Sequence, residues 1–199
     1  MTSNPGTMKK LTAAEFATVI KHAAAPPEAA EALKGCTDIA DAIDRLEAAG
    51  FNYEAVRVLA YALPKRESVW WACMCALATA PPDLGEEHRK ARETTELWVR
   101  QQKDEQRRAA YDFGTAVEFK SPEAWAALAA FWSGGSISLP DLPAVAATPE
   151  ACGKAAGVAI TLSALRGRGD RQVERLKRFL ESGRNIAAGG PGRIPPEEP

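Results

Sequence analysis

The feature that most constrains the fold of this chain is a run of ten apolar residues from Val69 to Ala78, which contains the adjacent Trp70 and Trp71. A helix that crosses a bilayer needs about 20 apolar residues, so this run is too short to span a membrane. We therefore expect a buried helix at the centre of the fold, with both indoles in the interior. No segment alternates polar and apolar residues long enough to build a sheet, and the chain is predicted to be all-α.

Proline, glycine and capping residues predict where the helices begin and end. Thr12 and Glu15 have the spacing of a capping box, which predicts the start of a first helix. Asp38 is placed to cap a helix that Gly50 ends, and Ser121 stands in the capping position of an aromatic helix. These signals predict an irregular bundle of about eight or nine helices.

For two segments of this bundle, the sequence predicts the arrangement of the helices as well as their ends. Pro64 separates residues 53–63 from the Trp-Trp helix, which predicts an antiparallel helical hairpin and packing by helix pairs, as in repeat proteins. From Gly85 to about Phe113 no proline or further glycine interrupts the chain, and acidic residues precede basic ones by four positions. We expect one long helix there, with a thin apolar seam at Trp98 that leaves it available to a partner.

The domain organisation follows from composition along the chain. Residues 1–188 are predicted to form a single helical domain, interrupted by a long loop at 133–148. We expect this loop to lie across the surface, because Ile137, Leu139 and Leu142 give it apolar side chains to bury. The tail at 189–199 is rich in glycine and proline and is predicted to be disordered.

Charge and composition indicate the cellular compartment and the kinds of partner that the protein binds. The formal net charge of -1 gives no global attraction to nucleic acid or to an anionic membrane. The chain begins without a secretory signal pattern, and we expect a cytoplasmic protein that does not insert into membranes. Its four cysteines are sparse and scattered, so free, buried and inert thiols are expected.

Catalytic and metal-binding patterns are not found. Gly153 and Lys154 resemble part of a phosphate loop, but the pattern fails at Thr148 and at Ala155. The two histidines are far apart and lack the spacing of zinc ligands. No catalytic residue, metal site or cofactor is therefore predicted.

A first candidate surface is formed by Lys65, Arg66 and Trp70 in the first turns of the Trp-Trp helix. Two cations are slightly unfavourable at a helix N-terminus, so they require a separate reason. Arg66 precedes Trp70 by four residues, and its guanidinium is placed to stack on that indole. This arrangement is either a structural contact at the hairpin or, with Trp98 on the charged helix, part of a partner-binding surface.

A second candidate surface lies on the last predicted helix. Arg171, Arg175 and Arg178 share a face that is expected to point outward, in the most basic part of the chain. Nucleic acid is the less favoured partner, because nearby glutamates neutralise part of the charge and no aromatic residues interleave with the cations. A solvated or protein-binding face is the preferred interpretation.

The segment from Leu63 to Ala72 reads Leu-Pro-Lys-Arg-Glu-Ser-Val-Trp-Trp-Ala. It resembles a sequence block of an uncharacterised family of all-helical bacterial proteins, some of which are encoded near type VI secretion genes. The resemblance covers about residues 55–80 and the charged helix after them. It implies an accessory or adaptor role at a secretion system and supplies no catalytic residues.

These observations favour a protein that binds another protein, without enzymatic activity. One alternative is an enzyme whose site is assembled from scattered residues, around Arg57, Lys65, Arg66 and Glu67 if anywhere. The other is a nucleic-acid binder that uses the basic helix. The partner is not identified by the sequence, and a homo-oligomer remains open.

Overall fold

A computed structural model describes residues 8–11 and 16–197, and 66% of these described residues are helical. The all-α multi-helix bundle predicted from the sequence is confirmed. The described residues contain ten α-helices: α1 (Phe16–Ala23), α2 (Pro27–Ala32), α3 (Ile39–Ala48), α4 (Asn52–Ala62), α5 (Lys65–Ala78), α6 (Glu86–Gln101), α7 (Asp104–Ala116), α8 (Pro122–Phe131), α9 (Ala151–Leu165) and α10 (Gln172–Ala187). None of these helices combines the length and apolar content needed to cross a bilayer.

The apolar run forms α5, which packs against α6, α8, α9 and α10. Trp71 is fully buried, and its indole Nε1–H donates a hydrogen bond of 2.8 Å to the carbonyl of Phe179 on α10. The expectation of a buried indole at the centre is therefore met by Trp71. Trp70 differs, because it remains partly exposed at the edge of the core.

Local signals account for several helix boundaries. The carboxylate of Asp38 accepts a hydrogen bond of 2.9 Å from the Asp41 amide at the start of α3, and Gly50 after that helix has a φ of +83°. The Ser121 hydroxyl caps α8 by accepting from the Ala124 amide. The predicted capping box at residues 12–15 lies outside the described residues.

The predicted hairpin of the helices on either side of Pro64 is wrong. The helix α4 packs mainly against α1, α3, α9 and α10, and α5 packs mainly against α6, α8, α9 and α10, so the two helices do not pair along their lengths. The helix α9 packs extensively against both α4 and α5. Direct contact between α4 and α5 includes their shared corner, where the Ser68 hydroxyl donates to the carbonyl of Ala60.

The single long helix expected after Gly85 is also wrong, because Gln102 has a φ of +53° and ends α6. Two residues later α7 begins and packs back against α6 and α8. Its Arg107 is only 3% exposed and donates to the carbonyl of Phe131 on α8. Burial of this arginine holds α7 against the core, and the side of α6 expected to await a partner is covered by the chain itself.

Residues 189–197 of the C-terminal tail lie along α10, whereas the composition of the tail predicts disorder. The hydroxyl of Ser182 donates to the carbonyl of Gly192, and the indole of Trp70 donates to the carbonyl of Pro191. Further along, the amide of Glu197 donates to the carbonyl of Ala78 at the end of α5. These contacts tie the tail to two helices.

We predict that Gly183→Ala destabilises the fold by about 1–2 kcal/mol, because a Cβ there would lie 2.6 Å from Leu59 Cδ2 and 2.8 Å from the ring of Trp71. Urea unfolding measures the free energy. In the control Gly134→Ala, no heavy atom lies within 4 Å of the added carbon. Its stability should change by less than about 0.5 kcal/mol. Equal stability of the two variants would contradict the close packing of α10 on Trp71.

Candidate functional site

Arg66 and Trp70 line one cavity of about 260 Å³, which we call the Trp70 pocket. Its other lining residues come from the N-terminal segment, α5, α6, α10 and the tail: Lys10, Glu67, Val99, Arg100, Ile186, Gly190 and Pro191. Lys65 is exposed outside this lining, and Trp98 is 6% exposed in the core. The structure thus brings together two of the four residues that the sequence assigned to this surface.

The cations of the Trp70 pocket all have acidic partners within the chain, although two of them share Glu67 and Arg100 pairs with Glu96 of α6. Glu67 lies 3.5 Å from both the Lys10 ammonium and the Arg66 guanidinium.

The predicted stack of Arg66 on Trp70 is not found among the described residues, where the cation–π contact is that of Arg107 with Phe131. Instead, the Nε–H of Arg66 donates to the carbonyl of Val99 at 2.8 Å. This arginine therefore joins α5 to the end of α6.

The basic face predicted on the last helix surrounds one carboxylate of the tail. Arg175 is 6% exposed, and its guanidinium forms two hydrogen bonds of 2.6 Å with the carboxylate of Glu197. Arg171 and Arg178 approach the same carboxylate at 3.7 and 3.8 Å. The expectation of an outward face of three cations is incorrect for Arg175, because this side chain also donates to the carbonyl of Ala164.

The loop at residues 133–148 is held by two arginines of α7. Arg107 and Arg108 donate to the carbonyl of Ser136 at 2.7 and 3.1 Å, and Arg108 donates to that of Ser138 at 3.0 Å. Within the loop, the Ile137 amide donates to the carbonyl of Val145 at 2.8 Å. The arginines therefore hold residues 136–138, and the bond from Ile137 ties the segment at Val145 to them.

The same loop exposes large apolar side chains. Leu139 is 70% exposed, Leu142 56% and Val145 51%. Of the three residues expected to be buried, only Ile137 packs against the core. We call the exposed side chains of Leu139, Leu142 and Val145 the loop triad. It is an apolar surface on a segment whose backbone is fixed by hydrogen bonds.

A larger groove of about 530 Å³ lies between α1, α4 and α9, and we call it the Tyr61 groove. Lys21 of α1, Arg57 of α4 and Lys154 of α9 line it, and none of these three side chains forms a hydrogen bond or ion pair within the part of the chain that the structure describes. The remaining lining residues are His22, Ala24, Tyr61, Glu150, Gly153, Gly157, Val158, Thr161 and Leu162.

Two ionisable groups of the Tyr61 groove have altered pKa values. Burial raises the pKa of Tyr61, so its phenol stays protonated over the physiological range. The carboxylate of Glu150 accepts hydrogen bonds from its own backbone amide and from the Thr148 side chain, and these bonds, with the nearby charge of Lys154, hold its pKa below the ordinary value. Glu150 therefore supplies one negative charge beside the three cations.

The shape of the Tyr61 groove depends on glycine in α9. A Cβ at Gly153 would lie 2.6 Å from Cδ1 of Tyr61, so this contact between α4 and α9 requires glycine. The sequence shows small residues at this crossing, among them Gly153 and Gly157. It does not place Lys21, Arg57 and Lys154 together, because they are remote in sequence and no spacing rule connects them.

The residues named for an enzyme do not form one site. Arg57 lies in the Tyr61 groove, whereas Arg66 and Glu67 lie in the Trp70 pocket. All four cysteines are buried and free, as predicted. Burial raises the pKa of the Cys152 thiol to about 12, which keeps it protonated and unreactive.

The chain also matches one known protein family. A family model matches residues 42–187, about three quarters of the chain. The chain belongs to DUF6931, a family of unknown function. The matched segment runs from α3 to α10 and includes the Trp71 core and the loop triad, which agrees with the predicted membership of an uncharacterised family. No curated protein and no solved structure matches the chain.

We predict that Arg107→Lys loosens the loop, because a lysine lacks the fork that reaches Phe131 and Ser136 together. Hydrogen exchange at the amides of Ile137 and Val145 should accelerate by about tenfold or more. The matched control Arg89→Lys changes an exposed arginine of α6 and should leave these amides unaffected. Unchanged protection in Arg107→Lys would show that the arginine does not hold the loop.

We predict that Glu197→Gln lowers the free energy of unfolding at pH 7 by about 1–2 kcal/mol, because it removes the charge-assisted bonds to Arg175. Bonding to Arg175 holds the pKa of Glu197 below its usual value in the folded state. This stabilisation is therefore present at neutral pH and is lost as the pH falls through the lowered pKa.

Unfolding at a series of pH values tests this prediction. The difference between the wild type and Glu197→Gln should shrink in acid, whereas the exposed control Glu181→Gln should show little difference at any pH. A difference that grows in acid would contradict the assignment.

Proposed function

We propose that the protein acts as a protein-binding adaptor without enzymatic activity, and that the loop triad is its main contact surface. The observation that carries the proposal is the exposure of Leu139, Leu142 and Val145, each more than half accessible, on a backbone fixed by Arg107 and Arg108. Burying a large aliphatic side chain contributes roughly 1.5–3 kcal/mol, so three of them supply a substantial part of a specific interface.

The occupant that fits this surface is a different protein with an apolar groove. Asp141 lies between the leucines, is exposed, and is the single charged residue of the sequence from 133 to 148. A basic side chain at the edge of the groove would pair with it and orient the partner. Arg66 and Trp70 in the Trp70 pocket, and the neighbouring Lys65, supply a second, smaller contact in this proposal.

The resemblance of the segment from Leu63 to Ala72 extends the proposal to the biological setting. Under it, the protein is bacterial and cytoplasmic, and its partner is a component of a type VI secretion system. This extension rests on the sequence block alone. The choice of the loop triad rests on exposure and hydrogen bonding.

The experiment is quantitative affinity capture from extracts of the source cells. We expect a protein that is retained in stoichiometric amount by the wild-type chain and reduced about tenfold by Leu139→Ser/Leu142→Ser. The matched control is Val173→Ser, because Val173 is 47% exposed on α10, outside the loop. This control should retain the partner at the wild-type level.

Two results would overturn the proposal. One is a set of captured proteins that is equally retained by the loop variant and by the wild type. The other is a dimer, detected by light scattering of the purified chain, that becomes monomeric in Leu139→Ser/Leu142→Ser. That second result would make a second copy of this chain the occupant of the loop triad.

A further inference from the structure

We propose that the Tyr61 groove binds a small molecule in which a phosphate monoester is attached to an aromatic or apolar body, as in a mononucleotide. This activity goes beyond protein binding and uses a surface that does not include the loop triad. It rests on the charges, the lining and the volume of the groove.

The charge of the groove matches one phosphate monoester. Lys21, Arg57 and Lys154 contribute three positive charges and Glu150 one negative charge, which gives a net charge of +2 with His22 neutral. A phosphate monoester carries about -1.5 to -2 charges at pH 7, so a single group compensates the excess. A ligand with a single carboxylate would leave about half of this excess positive charge unpaired.

The surroundings of these cations favour phosphate recognition further. In the described chain most other buried or half-buried arginines have an acceptor, for example Arg175 with Glu197 and Arg107 with Asp104. Arg57 is half-buried and has no such partner within the described residues. Its planar guanidinium is suited to two parallel hydrogen bonds with phosphate oxygens.

The remaining lining provides a place for the uncharged part of the ligand. Tyr61 presents a half-buried ring, and the ring of His22 lies 5.7 Å from it, centroid to centroid. Val158 and Leu162 add aliphatic surface, and Gly157 leaves the wall of α9 open. The volume of about 530 Å³ lies within the roughly 300–1,000 Å³ of small-molecule sites.

The test is calorimetric titration of the full chain at low salt with adenosine monophosphate as the probe. We expect a dissociation constant below about 1 mM, and no binding in that range for adenosine or for a short polyglutamate peptide. A phosphotyrosine peptide distinguishes a modified protein from a free metabolite as the source of the phosphate. Binding of that peptide more than about tenfold tighter than the nucleotide would overturn the assignment to a small molecule.

Variants with opposite expected effects separate recognition from loss of structure. Arg57→Gln should weaken nucleotide binding by about tenfold or more, because it removes the guanidinium fork. Glu150→Gln should tighten binding by about two- to fivefold, because it removes the single carboxylate of the groove, and a damaged fold could not produce this gain. The control Arg89→Gln removes an exposed cation of α6 and should leave the affinity unchanged.

Failure to detect nucleotide binding at 1 mM would overturn the proposal. So would equal binding of adenosine, or weaker binding by Glu150→Gln. Because the loop triad is not part of the groove, Leu139→Ser/Leu142→Ser should keep the wild-type affinity for the nucleotide. The two proposals can therefore fail independently.

Discussion

Trp71 is the largest fully buried side chain among the described residues, and its indole joins α10 to α5, the helix that also packs against α6, α8 and α9. Gly183 has no Cβ, so α10 can approach the indole closely, and the carbonyl of Phe179 accepts the indole hydrogen bond. A buried donor without this acceptor would cost roughly 1–3 kcal/mol. The pairing of a glycine with a tryptophan thus allows a polar aromatic side chain to occupy the centre of an apolar core.

The boundaries that the sequence predicts well depend on interactions between near neighbours. Asp38, Gly50 and Ser121 act within three or four residues, so their roles follow from local chemistry. The break at Gln102 was not predictable in this way, because a left-handed residue is usually glycine. The break is stabilised by burial of Arg107 against α8, which is a tertiary contact.

The candidate sites were harder to predict for the same reason. Arg66 and Trp70 are four residues apart on one helix and do line a common pocket. The cations of the Tyr61 groove come from three helices, and neither their order nor their spacing predicts that they meet. The environment of Arg175 likewise depends on Glu197, 22 residues later. Glycine and proline predict disorder in the tail, but they do not predict the ion pairs of Glu197 that hold the described residues 189–197 against α10.

The fixed backbone of residues 133–148 has a consequence for association kinetics. Flexible segments lose conformational entropy when they bind, and each immobilised side chain costs about 0.5–1.5 kcal/mol. In this loop Arg107, Arg108 and the bond between Ile137 and Val145 already hold the backbone in the free protein, so binding has only the exposed side chains left to order. A partner would meet a preorganised surface, and docking would proceed as a collision of two rigid bodies without a folding step.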